Sequence, residues 1–262
     1  MCARRDRVGR YRAEVDDGTR IELGATFDRA AELYDRVRPG FAAEALDWVL
    51  PPGARRVLDL GAGTGKLTAA LVARGLDVVA IDPAPNMLAR LRANLPDVDA
   101  RVATSEATGL PDADVDAVVV GSAFHWFARP DAEREMARVL RPGGVVGLLW
   151  NLRDPASATV QAFHEAQAHA TETMPGEHSD VTLDGRWFGP TQYREFRHTQ
   201  TMPPAQLVDL VASRSYVIAM AEPERTQLLD RVRRFVTTSP ALAGRHSFDL
   251  PYLTVVRRAA LR

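Results

Sequence analysis

Two aspartates, a run of alternating glycines and one histidine are the residues of this chain whose types and spacing suit chemistry on a small polar ligand. Asp59 stands two residues before Gly61-Ala62-Gly63-Thr64-Gly65, Asp82 comes 17 residues after Gly65, and His125 leads a Trp126-Phe127 pair. A turn built on three glycines takes positive φ readily and lets a ligand lie almost against the backbone. A carboxylate at a strand tip accepts hydroxyl donors, as acidic residues do in nucleotide sites. Histidine is the side chain whose ordinary pKa suits general-base work near neutral pH.

The elements that must position these groups follow from apolar periodicity. Val57 to Leu60 is a short apolar run, the glycines follow at once, and a helical pattern opens at Leu67, Leu71 and Val72, which reads as strand, tight turn and helix. The spacing is not the G-x-G-x-x-G of a dinucleotide fold, nor does a phosphate loop's G-K-[ST] follow four intervening residues. Val78 to Ile81 reads as a second buried parallel strand ending in Asp82-Pro83, then a helix over 83–94 with Met87 and Leu88 toward the sheet. Residues 99–103 give a third strand, and Val115 to Val120 is continuous enough to be central. Its carboxyl end carries Gly121, Ser122, Ala123, Phe124, His125, Trp126 and Phe127, where open α/β sheets hold their ligands. A helix over 130–140 and an Arg141-Pro142-Gly143-Gly144 turn lead to a fifth strand, Val145 to Trp150, from which Asn151 and Arg153 emerge on the same face as His125. Three residues keep a second reading. Asp82 also suits a helix N-cap, His125 a packed aromatic corner, and Arg153 a surface pair with Asp154 instead of a bidentate grip on a substrate carboxylate.

The stretch Asp59-Leu60-Gly61-Ala62-Gly63-Thr64-Gly65 resembles the glycine-rich motif of the class I S-adenosylmethionine-dependent methyltransferases. The resemblance implies that the loop passes under the amino-acid end and ribose of the cofactor. It puts Asp59, Gly61, Ala62, Gly63, Thr64, Gly65, Leu67, Asp82, Pro83 and Met87 on that ligand, with Asp82 accepting both ribose hydroxyls. Thr104-Ser105-Glu106 is similar to the family's segment along the adenine edge, although the family often has an aspartate where Thr104 stands. Gly121, Ser122 and Ala123 complete the cofactor contacts. Phe27 to Asp35 with Arg38-Pro39-Gly40 resembles the N-terminal lid of enzymes like the trans-aconitate methyltransferases, with Tyr34 over the sulfonium and Arg38 toward the methionine carboxylate. By spacing alone the same residues are a helix packed on the domain edge. On the acceptor side the expected residues are Phe27, His125, Trp126, Trp150, Asn151, Arg153 and Tyr216. The implied reaction is in-line displacement at the sulfonium methyl by an oxygen, nitrogen, sulfur or carbon nucleophile of a small molecule, with His125 as base where the acceptor needs deprotonation. The rival readings are a protein that binds S-adenosylmethionine without transferring methyl and a nicotinamide dehydrogenase, the latter disfavoured by the glycine spacing.

At 262 residues, 46% hydrophobic and 26% charged, the chain suits one α/β domain. The expected fold is Rossmann-like, a seven-stranded, mostly parallel sheet with helices on both faces, an N-terminal helical lid and a C-terminal helical insertion. Residues 1–23 form an arginine-rich flexible tail. The domain spans 24–262, with lid helices over 24–53, the cofactor core over 54–154, and sheet completion with capping helices over 155–262. Net charge is −1 and the pI about 6.6, which favours a small-molecule acceptor over nucleic acid or a membrane surface. The one cysteine, Cys2, offers neither a disulfide framework nor a thiolate metal site, so no metal is expected. No long apolar run or secretory signal is present, which reads as cytoplasmic, as a monomer or homodimer. Beyond Asp154 the pattern gives helices over 156–173, 205–216 and 222–238 and strands over 193–202 and 248–257. The two helices between those strands are placed to cap the crevice, with substrate choice at Trp187, Phe188, Arg214 and Tyr216.

Overall fold

A computed structural model of the chain describes residues 31–167 and 181–262, with Ser215 and Tyr216 described by backbone alone. The strands are β1 (Arg56–Leu60), β2 (Asp77–Asp82), β3 (Asp99–Val102), β4 (Val115–Gly121), β5 (Leu140–Arg153), β6 (Gln192–Met202) and β7 (Phe248–Ala260). They form one seven-stranded sheet in the order β3-β2-β1-β4-β5-β7-β6. The pairs from β3 through β5 are parallel, and β7 runs antiparallel to both β5 and β6. Near-continuous apolar runs in β1, β2 and β4 require cover on both faces, and helices supply it. From β1 the order proceeds outward to β2 and β3, then returns to β4 on the other side. A crevice therefore opens at the carboxyl ends of β1 and β4.

The helices are α1 (Ala31–Val37), α2 (Ala43–Val49), α3 (Lys66–Val72), α4 (Pro85–Asn94), α5 (Arg129–Val139), α6 (Ala158–Ala166), α7 (Gln206–Ala212), α8 (Ser215–Ile218) and α9 (Glu222–Thr238). Strand alternation divides the core. Leu58, Leu60, Val118, Val120 and Leu148 pack with Met136 of α5, whereas Val57, Val119 and Leu149 pack with Leu46 and Val49 of α2 and Leu71 of α3. A third apolar cluster joins Phe163, Leu210 and Leu228 of the cap helices to Leu250 and Tyr252 of β7, and Val37 of α1 is buried in it.

Helix α1 is thus part of the cap. Arg36 pairs with Asp209 of α7 at 2.8 Å, and Arg38 Nη2 donates to the Ser213 carbonyl at 3.1 Å. On its other side Asp35 meets Lys66 at 3.4 Å and Arg90 at 3.0 Å, and accepts from Asn94 at 3.1 Å. The segment is held from both the cap and the glycine-loop side. The expected lid extends before Ala31 to Phe27, and the tail over 1–23 likewise lies outside the described residues. Of the helix expected over 156–173, Ala158–Ala166 is seen within the described part. The helix expected over 205–216 is broken into α7 and α8, because Ser213 Oγ donates back to the Leu210 carbonyl at 2.8 Å and competes with helix continuation. That break sets Arg214 on the wall of the crevice.

Candidate active site

The glycine turn is pinned to the end of β2: the N–H groups of Gly61 and Ala62 both donate to the Ile81 carbonyl, at 2.8 and 3.0 Å. Gly61 has φ +76°, and a Cβ there would meet the Ala123 Cβ at 2.5 Å, so the loop touches the chain leaving β4. Around Gly63, at φ +55°, a Cβ would find nothing within 4 Å. The turn therefore has one packed side and one open side. Gly65, at φ +88°, closes it and opens α3.

Asp82 is the clasp of this turn. Its Oδ2 accepts the Gly63 N–H at 2.8 Å and its Oδ1 the Ala84 N–H at 2.9 Å. The cap position of α4 is Ala84, which has no side-chain cap, so the N-cap reading of Asp82 is replaced by a bond from strand tip to loop. Asp59 is fully buried. Its Oδ2 accepts from Thr68 Oγ1 at 2.6 Å, while Oδ1 has no hydrogen-bond partner among the described residues. Burial, followed by the nearby Asp82 charge, pushes the Asp59 carboxyl up to about 7. Thr64 Oγ1 is a second buried atom without a partner among the described residues. Both residues line the crevice, as do Ala62, Leu67, Tyr34 and Arg38.

At the tip of β4, Gly121 leaves room for the Phe41 ring, which a Cβ would meet at 3.0 Å. Ser122 follows at φ +56°, a conformation uncommon for a side chain of any size and concentrated at functional sites. Its N–H donates to the Leu149 carbonyl at 2.8 Å, and both Gly121 and Ser122 line the crevice. A short 3-10 turn, Phe124–Trp126, comes next. His125 is exposed there, its ring 4.8 Å from that of Trp126, and neither is among the residues that line the crevice. Ser105 Oγ donates to Glu106 Oε1 at 2.7 Å, and that oxygen accepts the Ala128 N–H at 3.1 Å, which ties the segment after β3 to the start of α5. Thr104 forms an isolated bridge with Ala107. Met87 is buried in α4, and Pro83 follows Asp82 without lining the crevice.

At the other end Asn151 donates to the Gly40 carbonyl at 2.8 Å, and its Oδ1 accepts from Thr254 Oγ1 at 2.7 Å and from His198 Nε2 at 3.2 Å. Arg153 does not pair with Asp154 at the surface. It is 4% exposed, with its guanidinium 4.4 Å over the Phe163 ring, while Asp154 pairs with Arg197 at 3.2 Å. Trp150 is a correction: strand alternation turns it away from Asn151 and Arg153, into the core cluster that also holds Phe188. Phe188 is fully buried there and Trp187 lies outside the crevice lining, so neither meets a substrate at this site. The side chain of Tyr216, like all of Phe27, lies outside the described residues.

Four lining residues were not anticipated as site residues: Pro39, Phe41, Lys66 and Tyr252. Tyr252 sits opposite Arg153 in the β5–β7 register. Its ring stacks on His198 at 5.5 Å, and its buried hydroxyl has no hydrogen-bond partner among the described residues. Among the described residues no three His, Cys, Asp or Glu side chains are grouped to hold a metal ion, and none of their helices is long and apolar enough to cross a membrane.

Residues 58–148 match a family described as Methyltransferase domain. Over 243 residues the chain is 47% identical to an uncharacterized methyltransferase of Mycobacterium tuberculosis, covering 93% of this chain and 98% of that one. Over 252 residues it is 28% identical to the trans-aconitate 2-methyltransferase of Methylobacterium radiotolerans, covering 86% of this chain and 94% of the relative. Among solved structures, that of a putative type II methyltransferase from Anaeromyxobacter dehalogenans superposes with a TM-score of 0.62 at 24% identity, over 86% of this chain and 97% of that one.

Proposed function

Because the chain belongs to the class I S-adenosylmethionine-dependent methyltransferases, we propose that the crevice at the tips of β1 and β4 serves methyl transfer from that cofactor to a small-molecule acceptor. The observation that carries this reading is the pairing of a clasped, open-sided glycine turn with a buried carboxyl oxygen, Asp59 Oδ1, that has no hydrogen-bond partner among the described residues. A buried acceptor of this kind is costly unless a donor arrives, and the ligand the family uses carries an ammonium and two ribose hydroxyls. Bound S-adenosylmethionine supplies an electrophilic methyl group on a sulfonium sulfur.

The remaining work falls to the chain's own side chains. Asp59 accepts from the ammonium and Asp82 from the ribose hydroxyls, while Gly61, Ala62, Gly63, Thr64, Gly65 and Leu67 form the bed. Pro83, Met87, Thr104, Ser105 and Glu106 shape the adenine end. Arg38 holds the carboxylate, and Tyr34 excludes water above the reacting centre. Gly121, Ser122 and Ala123 form the wall between cofactor and acceptor, and Asn151 faces the acceptor with Arg153 buried behind the crevice wall. Most of the acceleration is then alignment in a water-poor crevice, an effect that reaches roughly 7–11 kcal/mol in well-oriented systems. Near-zero net charge and a single cysteine support a cytoplasmic setting and a small acceptor over nucleic acid.

Titration calorimetry tests the cofactor side: S-adenosylhomocysteine binds and NAD does not, and NAD binding the tighter of the two would overturn the assignment of these residues. His125 is the group whose role geometry leaves at the rim. His125→Ala keeps S-adenosylhomocysteine affinity within about threefold, under 1 kcal/mol, while turnover of an acceptor that needs deprotonation falls about tenfold. Full turnover in that variant removes His125 from proton transfer and leaves it a surface residue beside Trp126.

A further inference from the structure

We propose that the acceptor end of the crevice is an anion subsite, with Arg214 and the Tyr252 hydroxyl facing the ligand and Arg153 behind them, so that the methyl acceptor is a small molecule carrying a carboxylate or phosphate in addition to the atom that is methylated. The inference rests on the methyl-transfer reading of the same crevice and deepens it to a substrate class.

The argument starts from where the sheet places these groups. Arg153 and Tyr252 are register partners on β5 and β7, so their side chains lie next to one another on one face. Asn151, two residues back on β5, is on that face too and lines the crevice. From above, the break between α7 and α8 brings in Arg214, which lines the crevice together with Tyr252. Arg153 is 4% exposed and Tyr252 is 2% exposed, so these are not solvated surface groups. The Arg153 guanidinium carbon lies over the Phe163 ring at 4.4 Å, a cation–π contact that restrains it.

His164 and Tyr252 itself report the sign of the local field. His164 on α6 is pushed down to about 4 by burial and by the charges of Arg153 and Arg214, so it stays neutral at pH 7 and adds nothing against an anion. Burial raises the Tyr252 phenol, while Arg153, Arg214 and Arg38 pull it back; it remains a neutral O–H. His198, under the Tyr252 ring, has its pKa lowered by burial and donates Nε2–H to Asn151. The charges that lower the Tyr252 phenol are those of Arg153, Arg214 and Arg38, whereas the Glu44 carboxylate acts on His198 beneath it. A planar guanidinium offers donors only, and a phenol hydroxyl can turn its O–H toward a ligand oxygen, which together suit an oxyanion. The Tyr252 hydroxyl is buried without a partner among the described residues, and a ligand oxygen would satisfy it. The anion anchors the far end of the acceptor, and the atom to be methylated points back toward Ser122 and the glycine loop.

The test uses the full-length protein saturated with S-adenosylhomocysteine and reads binding by calorimetry, without turnover. The probes are succinate, inorganic phosphate and the uncharged diamide succinamide. At least one of the two anions binds tenfold or more tighter than succinamide. Arg214→Gln removes at least tenfold of that anion affinity and Tyr252→Phe about threefold, both with S-adenosylhomocysteine affinity within threefold of wild type. The choice between succinate and phosphate identifies the source of the oxyanion. If neither anion exceeds the diamide, or if Arg214→Gln in a protein that still binds S-adenosylhomocysteine leaves anion affinity unchanged, the subsite is overturned. Failure of S-adenosylhomocysteine itself to bind overturns instead the cofactor assignment on which it rests.

Discussion

Asp82→Ala weakens S-adenosylhomocysteine binding by about 2–4 kcal/mol, roughly thirtyfold to a thousandfold, because a charged acceptor of two hydroxyl donors is lost and the donors stay buried. The structure adds a second contribution. The same carboxylate accepts the N–H groups of Gly63 and Ala84, so its removal frees the open side of the glycine turn as well as deleting a ligand contact. The two parts separate by substitution: Asp82→Asn keeps one acceptor oxygen for Gly63 but loses the charge, and it falls between wild type and alanine. Calorimetry on folded variants decides the matter. An Asp82→Ala protein of native thermal stability and native affinity would show that the carboxylate serves neither purpose.

The second large effect is in stability against pH, and it belongs to Asp59. The carboxyl titrates near 7 in the folded chain, against an ordinary 3.8, chiefly because it is buried. From about pH 4 to 7 the unfolded chain has lost this proton while the folded chain keeps it, so the contribution is complete below pH 4 and is lost as pH rises through 7. The slope is up to about 1.4 kcal/mol per pH unit and the whole swing about 4 kcal/mol. Asp59→Asn carries no such charge. Its stability relative to wild type, from urea midpoints between pH 4.5 and 8, therefore rises with pH up to about 7 and levels off above it, and comparing the two proteins cancels the other carboxylates. A difference that stays flat over that range would mean Asp59 is ionised throughout. Ligand binding follows the same logic: an ammonium beside Asp59 draws its proton off, so S-adenosylhomocysteine binds more tightly above pH 7 than at pH 5.5 in wild type, and Asp59→Asn loses that dependence.

The parallel half of the sheet and the glycine turn were legible because each is a local signal: an apolar run, then residues that tolerate positive φ. Asp59 and Asp82 were found for the same reason, although the clasp between Asp82 and Gly63 was not, since backbone partners across a crevice leave no mark on composition. Trp150 was misplaced: it stands next to Asn151 in the sequence, but alternation along β5 puts neighbours on opposite faces. Tyr252 was missed for a different reason. It stands in a run, Tyr252-Leu253-Thr254-Val255-Val256, that reads as plain core, and only the antiparallel register brings it beside Arg153. A signal was present all the same: a tyrosine and a threonine at alternate positions of an otherwise apolar strand mark one face as polar. His125 drew attention by residue type, but the 3-10 turn after β4 leaves it exposed, and nothing in the local sequence distinguishes a ring turned inward from one turned out.

Lys66 is the only lysine in the chain. It lines the crevice at the first residue of α3, one-third exposed, with its ammonium 3.4 Å from Asp35 of α1. An amine-directed acylating reagent thus has one ε-amine to find, at the seam where α1 meets the glycine loop. Its rate of modification is a direct gauge of how often that seam parts. Protection by added compounds turns this into a footprinting assay, so candidate cofactors and acceptors are ranked by mass spectrometry of a single peptide before any product has been identified.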